Sequence, residues 1–314
     1  MQPTVFPCEN FDDEEDAKAL KQAFKGFGTD EEAVIEIITK RSNEQRRAIA
    51  TRFKTMYGKD LIKELKSELR GNFEDVIIAL MTEPIEFQAK QLHKAISGLG
   101  TDESTIVEIL GVHNNDEVVR IADEYEGLYQ TSLEADIKSD TSGTLKRLLV
   151  GLSTGNRDES NLIDEDAAFT DAQNLLQAGE LLFAGTEEST FTAVLCQRNR
   201  RQLNVIFDKY EEIVGHSIET AIENEFSGNI KDAMLDLIAC VRDRTLYLAK
   251  RLHDSMAGIG TDDRTLIRIV VGRSEMDLVD IKEAYEAKYG KSLAERIAEE
   301  VSSDLKKTLL ALVY

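Results

Sequence analysis

The feature that most limits what this chain can fold into is a string that comes back. "KGFGTDEEAVIEII" (residues 25–38) recurs as "SGLGTDESTIVEIL" (97–110) and "AGIGTDDRTLIRIV" (257–270). Counted from the corner threonine, Thr29, Thr101, Thr186 and Thr261 head four copies. Five, six, eight and nine residues later stand Val34, Ile35, Ile37 and Ile38 in the first copy and Ile106, Val107, Ile109 and Leu110 in the second. The third has Phe191, Thr192, Val194 and Leu195, and the fourth Leu266, Ile267, Ile269 and Val270. That spacing is a broad apolar stripe on a buried helix, with Thr192 as its polar exception. The register continues without a gap through Tyr57, Tyr129, Val214 and Tyr289 to Leu61, Leu133, Ile218 and Leu293. These are internal repeats, and such units bury their apolar faces against one another.

Successive threonines are 72, 85 and 75 residues apart, and most of the middle excess falls in the polar, turn-rich "GLSTGNRDESNLIDED" (151–166), which reads as a linker between halves. In copy one, helical patterns run over 13–25, 30–40, 43–57, 60–69 and 73–82. Thr29 and Glu32 there read as a capping box. The expected organisation is a tail over 1–12, repeats over 13–84 and 85–152, a linker over 153–166, and repeats over 167–241 and 242–314. Four copies of five short helices make an all-α protein. Only three prolines, two of them in the first seven residues, agree with this.

Charge narrows the partners. With 38 basic and 59 acidic residues the net is −21, so the chain should repel nucleic acid and bare anionic membrane. Cys8, Cys196 and Cys240 are odd in number and widely spaced, as reduced cytosolic thiols would be. Cys196 and Cys240 read as buried and Cys8 as exposed. The N-terminal segment has no apolar signal core, and no apolar run approaches the ~20 residues of a membrane span. The expectation is a soluble, cytoplasmic protein.

The glycine corner alone could be a plain helix start. A dinucleotide loop lacks its third glycine and its strand, and a Walker loop lacks Gly-Lys-Ser/Thr. A second bend changes the weighting: thirty-nine residues after each threonine stand Glu68, Asp140, Glu225 and Glu300, followed three residues on by Gly71, Gly143, Gly228 and Ser303. If the two bends converge, one offers carbonyl oxygens and the other a carboxylate, an all-oxygen set suited to Ca²⁺, which takes six to eight oxygens. Three carbonyls and a bidentate carboxylate supply about five, leaving roughly one to three positions for water or a lipid phosphate oxygen. The corners carry no His or Cys for Zn²⁺, and there is no EF-hand loop.

The four-fold repeat, the Gly-x-Gly-Thr-acid corner and the downstream acid together resemble the annexin family over nearly the whole chain, with an invertebrate member expected. That resemblance implies a curved disc of four five-helix repeats in two halves, binding acidic phospholipid through Ca²⁺ on one face. Carried over by position, it implies carbonyls of Phe24, Gly26 and Gly28 with Glu68 in copy one, and of Ile96, Gly98 and Gly100 with Asp140 in copy two. Copy four would use Met256, Gly258 and Gly260 with Glu300, with Ser303 replacing the turn glycine. Copy three departs in "AGELLFAGT", and its set would be Gly179, Phe183, Gly185 and Glu225. Sites one and two rank above four, and three ranks last. Phe183 either dips into the headgroup layer or tucks into its own repeat. Glu108 and Arg268 share one repeat position, and the resemblance implies that they face each other across a hydrophilic passage.

The implied partners are phosphatidylserine-like lipids, bound reversibly when Ca²⁺ rises, in membrane organisation, trafficking or repair. Self-assembly on the bilayer and a protein partner for the tail stay open. The competing reading is a Ca²⁺-independent helical-repeat scaffold for proteins. An enzyme is not expected: His93, His113, His216 and His253 read as unrelated in repeat position or remote from a nucleophile, and repetition argues against a single catalytic pocket. Arg41, Arg198 and Arg273 read as structural, bonding carbonyls at helix ends.

Overall fold

The computed structural model describes residues 1–26, 28–98, 100–179 and 187–314. Among them are twenty α-helices and no strand. The first repeat holds α1 (Asp13–Ala23), α2 (Glu31–Thr39), α3 (Asn43–Tyr57), α4 (Leu61–Glu68) and α5 (Gly71–Met81). The second holds α6 (Pro84–Ile96), α7 (Glu103–Val112), α8 (Asn115–Tyr129), α9 (Leu133–Asp140) and α10 (Gly143–Ser153). The third holds α11 (Glu165–Ala178), α12 (Glu188–Gln197), α13 (Arg200–Val214), α14 (Ile218–Glu225) and α15 (Gly228–Arg242). The fourth holds α16 (Arg244–Ser255), α17 (Asp263–Ser274), α18 (Leu278–Tyr289), α19 (Leu293–Glu300) and α20 (Ser303–Val313).

Local chemistry places these ends. Ser42 opens α3 with a full capping box to Gln45, and Asn114 and Ser292 do the same with Glu117 and Glu295. The third helix closes on a left-handed residue at one repeat position: Gly58, Gly215 and Gly290, but Gln130 in the second copy. At the start of the second helix the expected threonine cap is corrected. Asp30, Asp102 and Asp262 are the caps, accepting from the backbone of Ala33, Thr105 and Thr265. A threonine one residue earlier lies too far out to reach the first turn, which frees its hydroxyl.

The apolar stripe is buried in every copy, Thr192 included, whose hydroxyl donates to the Glu188 carbonyl (3.0 Å). Its burial builds two compact units. One comprises Met1–Phe87 with Leu248–Tyr314, the other Gln88–Tyr247. In the first, α2 and α5 pack on α20, and α5 also on α17; in the second, α7 packs on α15 and α10 on α12. Repeats one and four therefore share a core, as do two and three. The segment read as a linker between halves instead lies inside the second unit. It is held there: Asp158 N–H donates to the Gln197 carbonyl (2.8 Å), Asn115 to the Arg157 carbonyl (2.7 Å) and Asn199 to the Leu162 carbonyl (3.0 Å).

The tail is equally held. Thr4 and Val5 N–H groups donate to the Ser274 carbonyl, and Gln45 grips both backbone polar groups of Cys8. Cys8 is consequently half-buried rather than exposed. Cys240 is buried, while Cys196 is half-buried with burial pushing its thiol up to about 11. No helix among the described residues is long and apolar enough to cross a membrane.

Candidate functional site

One backbone bond joins the residues flanking each corner. Asp30 N–H donates to the Ala23 carbonyl (2.9 Å), Asp102 to Ala95 (2.9 Å), Glu187 to Ala178 (2.6 Å) and Asp262 to Ser255 (2.7 Å). This bond fixes the span, and the glycines inside reverse the chain at positive φ: Gly26 and Gly28 at 106° and 91°, Gly258 and Gly260 at 92° and 86°. In copy two Gly100 does so (86°), whereas Gly98 lies outside the left-handed region. Gly26, Gly28, Gly98, Gly100, Gly258 and Gly260 are all exposed; Phe24 is half-buried, and Ile96, Met256 and Gly179 are buried. Phe183 and Gly185 lie outside the described residues.

The second bend is identical in form across copies. Glu68, Asp140, Glu225 and Glu300 each end the eight-residue fourth helix. Two extended residues follow, then a left-handed residue that opens the fifth helix: Gly71, Gly143, Gly228 and Ser303, at φ of 59° to 62°. Carboxylates are disfavoured at helix C-termini by the helix dipole, so the placement favours a cation nearby.

The corner threonine joins the bends. Thr29 Oγ1 donates to Glu68 Oε2 at 2.9 Å, and Thr101 Oγ1 donates to Asp140 Oδ2. Glycine loop and carboxylate thus meet in repeats one and two. In repeat four Thr261 turns to Asp263 instead (2.7 Å), and Glu300 pairs with Arg296. Within the first unit the second bends of repeats one and four open on one cleft of about 440 Å³, lined by Glu68, Arg70, Asp263, Glu300 and Asp304. Among the described residues no three His, Cys, Asp or Glu side chains form a metal-binding group. A cation held here would rest on main-chain oxygen and a single carboxylate. That donor set fits Ca²⁺ in repeats one and two.

The arginines differ from expectation. Arg41 and Arg198 pair with the carboxylates of Asp16 and Asp171 (2.6 Å each), and Arg273 with Asp277 (2.5 Å). Arg41 also reaches the Lys40 carbonyl. The helix-end carbonyl of Ile38 accepts instead from Arg46 (2.6 Å), and that of Leu80 from Asn43 (3.0 Å) and Arg46 (3.3 Å); Arg46 is buried and also bonded to Glu275. Burial draws its guanidinium down to about 10. The histidines need correction too. His93 and His253 both stand eight residues before their threonine, and both stack on the third helix, on Tyr129 (centroids 3.6 Å) and Tyr289 (3.8 Å). Glu108 and Arg268 are each buried, in different units, and Arg268 donates to Thr265 Oγ1 (3.1 Å).

The profile described as Annexin matches residues 15–80, 87–152, 170–237 and 247–312. Annexin A4 of Bos taurus is 46% identical over 309 residues, 98% of this chain and 97% of its own length. Annexin A11 of Homo sapiens is 47% identical over 98% of this chain, which spans only 61% of that relative. Among solved structures, annexin III superposes with a TM-score of 0.96 at 42% identity, covering 100% of this chain and 97% of that one. Calcium-bound annexin (Sm)1 superposes at 0.83 with 33% identity, covering 99% and 93%.

Proposed function

Since this chain belongs to the annexin family, we propose that it binds acidic phospholipid reversibly through Ca²⁺ held at its glycine corners. The observation that carries the reading is the threonine–carboxylate link in repeats one and two, which draws both bends to one point. There Phe24, Gly26, Gly28 and Glu68, and Ile96, Gly98, Gly100 and Asp140, are the residues that would hold the ion. Bound Ca²⁺ would supply the positive charge that bridges protein to lipid phosphate. Gly179, Phe183, Gly185 and Glu225 in repeat three, and Met256, Gly258, Gly260 and Glu300 in repeat four, are secondary.

Four divalent ions would add +8 to −21 and leave −13, so bulk neutralisation cannot draw the protein to an anionic bilayer. The ions act locally, because charge effects fade over a Debye length of ~8 Å. Each exposed site is weak, ~10⁻⁴ to 10⁻³ M, and several engaged together raise avidity by ~10² or more. Fully exposed Ile259, at the tip of the fourth corner, suits contact with the headgroup layer. The protein is read as a binding protein rather than an enzyme: cytoplasmic, peripheral to membranes when Ca²⁺ rises, and serving membrane organisation, trafficking or repair.

Co-sedimentation with phosphatidylserine liposomes across a Ca²⁺ titration is the test. Wild type should pellet steeply with Ca²⁺ and return to the supernatant on chelation. The combined Glu68→Gln, Asp140→Asn variant should require at least about tenfold more Ca²⁺, since two of the linked sites no longer contribute. An unchanged titration curve would refute the assignment.

A further inference from the structure

Repeat four carries a side chain that its sister repeats lack. Thirty-five residues after the corner threonine stand Glu64, Asp136 and Ala221 in the first three copies, but Arg296 in the fourth. One end of its guanidinium, Nη2, donates to the Met256 carbonyl at 2.7 Å, and the other, Nη1, pairs with Glu300 Oε1 at 2.8 Å. Met256 supplies the outermost carbonyl of the fourth corner, and Glu300 is the acid of the second bend. The guanidinium therefore bridges the two extremes of the oxygen set that a cation would use. It is not a loosely solvated charge: its side chain is 24% exposed, and Nε is buried with no hydrogen-bond partner. The corner threonine has given way as well, since Thr261 donates to Asp263 where Thr29 and Thr101 donate to the bend carboxylate.

We propose that Arg296 is a resident counter-cation that closes the repeat-four corner to Ca²⁺. The inference rests on the reading of these corners as Ca²⁺ sites, and it concerns how the fourth is regulated. A divalent ion entering here must displace two charge-assisted hydrogen bonds and approach a fixed positive charge. Arginine stays protonated at every physiological pH, so acidification or alkalinisation does not open the site. Repeats one and two carry no such cation at the same position: Glu64 receives Lys59 and Lys21, and Asp136 receives Tyr125 and Thr131. Repeats one and two should fill first, and repeat four only at higher Ca²⁺, when the guanidinium is driven off.

Equilibrium dialysis against radioactive calcium, on the full chain bound to phosphatidylserine vesicles, counts the ions. Compared with wild type at free Ca²⁺ that fills its first sites, Arg296→Met should bind about one ion more per chain. The added site should half-fill at about tenfold lower Ca²⁺, the scale of one charge-assisted hydrogen bond. Glu300→Gln should abolish that gain when combined with Arg296→Met, and Arg296→Gln, polar but uncharged, should show the same gain as Arg296→Met. A folded Arg296→Met protein with no added ion overturns the proposal. So does an unchanged count in Arg296→Gln, a measurement that decides the matter even if Arg296→Met does not fold. Loss of no ion in Glu68→Gln, Asp140→Asn would instead sink the underlying Ca²⁺ reading.

Discussion

Thr29 and Thr101 show how much depends on one hydroxyl. Each could cap the helix that follows, but the neighbouring aspartate is better placed to accept from the first turn, and the threonine reaches a carboxylate thirty-nine residues away. Arg46 is the opposite case, a charge fully committed to structure. Replacing it by Met should cost roughly 2–4 kcal/mol in denaturant unfolding, because the Ile38 carbonyl loses its Arg46 donor, the Leu80 carbonyl keeps only Asn43, and half-buried Glu275 rehydrates. The tyrosines beside the stacked histidines bear on alkaline stability. Burial pushes the Tyr285 phenol up to about 12, and burial together with the Asp136 hydrogen bond raises that of Tyr125. An unfolded tyrosine ionises near 10. The unfolded chain therefore loses these protons first, and stability should hold below about pH 10 and fall as pH rises toward 12. Urea midpoints across that range, with phenolate absorbance of the native protein, test it; a flat profile would contradict the burial argument.

At the scale of elements, two repeat positions demand left-handed backbone, and each has one copy without glycine. Gln130 closes α8 at φ 59°, and Ser303 opens α20 at φ 59°. Gln130→Gly and Ser303→Gly should each stabilise by about 0.5–1 kcal/mol, the side-chain strain released being larger than the added entropy of the unfolded chain. A midpoint that falls in either variant would show that the side chain makes a compensating contact. The fourth helices present a trade between stability and binding. Their terminal acids oppose the helix dipole, so Glu68→Gln and Asp140→Asn should raise Ca²⁺-free stability slightly, by at most ~1 kcal/mol each at low salt. The same variants should blunt the thermal upshift that Ca²⁺ gives the wild type, whereas a Ca²⁺-independent scaffold would show no upshift in either protein.

For the whole molecule, pairing of repeats one with four and two with three means that chain neighbours are not core neighbours throughout. Equivalent residues serve both pairings. Asn72 of the first repeat donates to Asp263 of the fourth, and Asn229 of the third to Glu103 of the second, the same two repeat positions each time. The connection from Thr154 to Asp164 works as a clamp, with Asp158, Arg157 and Leu162 bonded to the repeats on either side. Limited proteolysis of the native protein should therefore spare it, although it is polar and turn-rich. Rapid cleavage there would mean that those bonds do not hold in solution.

The four-fold repeat, five helices to each copy and the buried stripe were legible in the sequence, with the helix bounds read in the first copy falling within two residues of those seen. Periodicity is a local property: residues three and four apart share a helix face whatever lies beyond. The expected helices over 43–57 and 60–69 match Asn43–Tyr57 and Leu61–Glu68 to within a residue for that reason. Tertiary structure decided matters of partnership. Which repeats share a core depends on contacts between residues some two hundred positions apart, as between Arg46 and Glu275, about which no period carries information. Whether a threonine caps its own helix or holds a distant acid, and whether Glu300 faces an open corner or a guanidinium, turns on which of several reachable donors stands closest after packing.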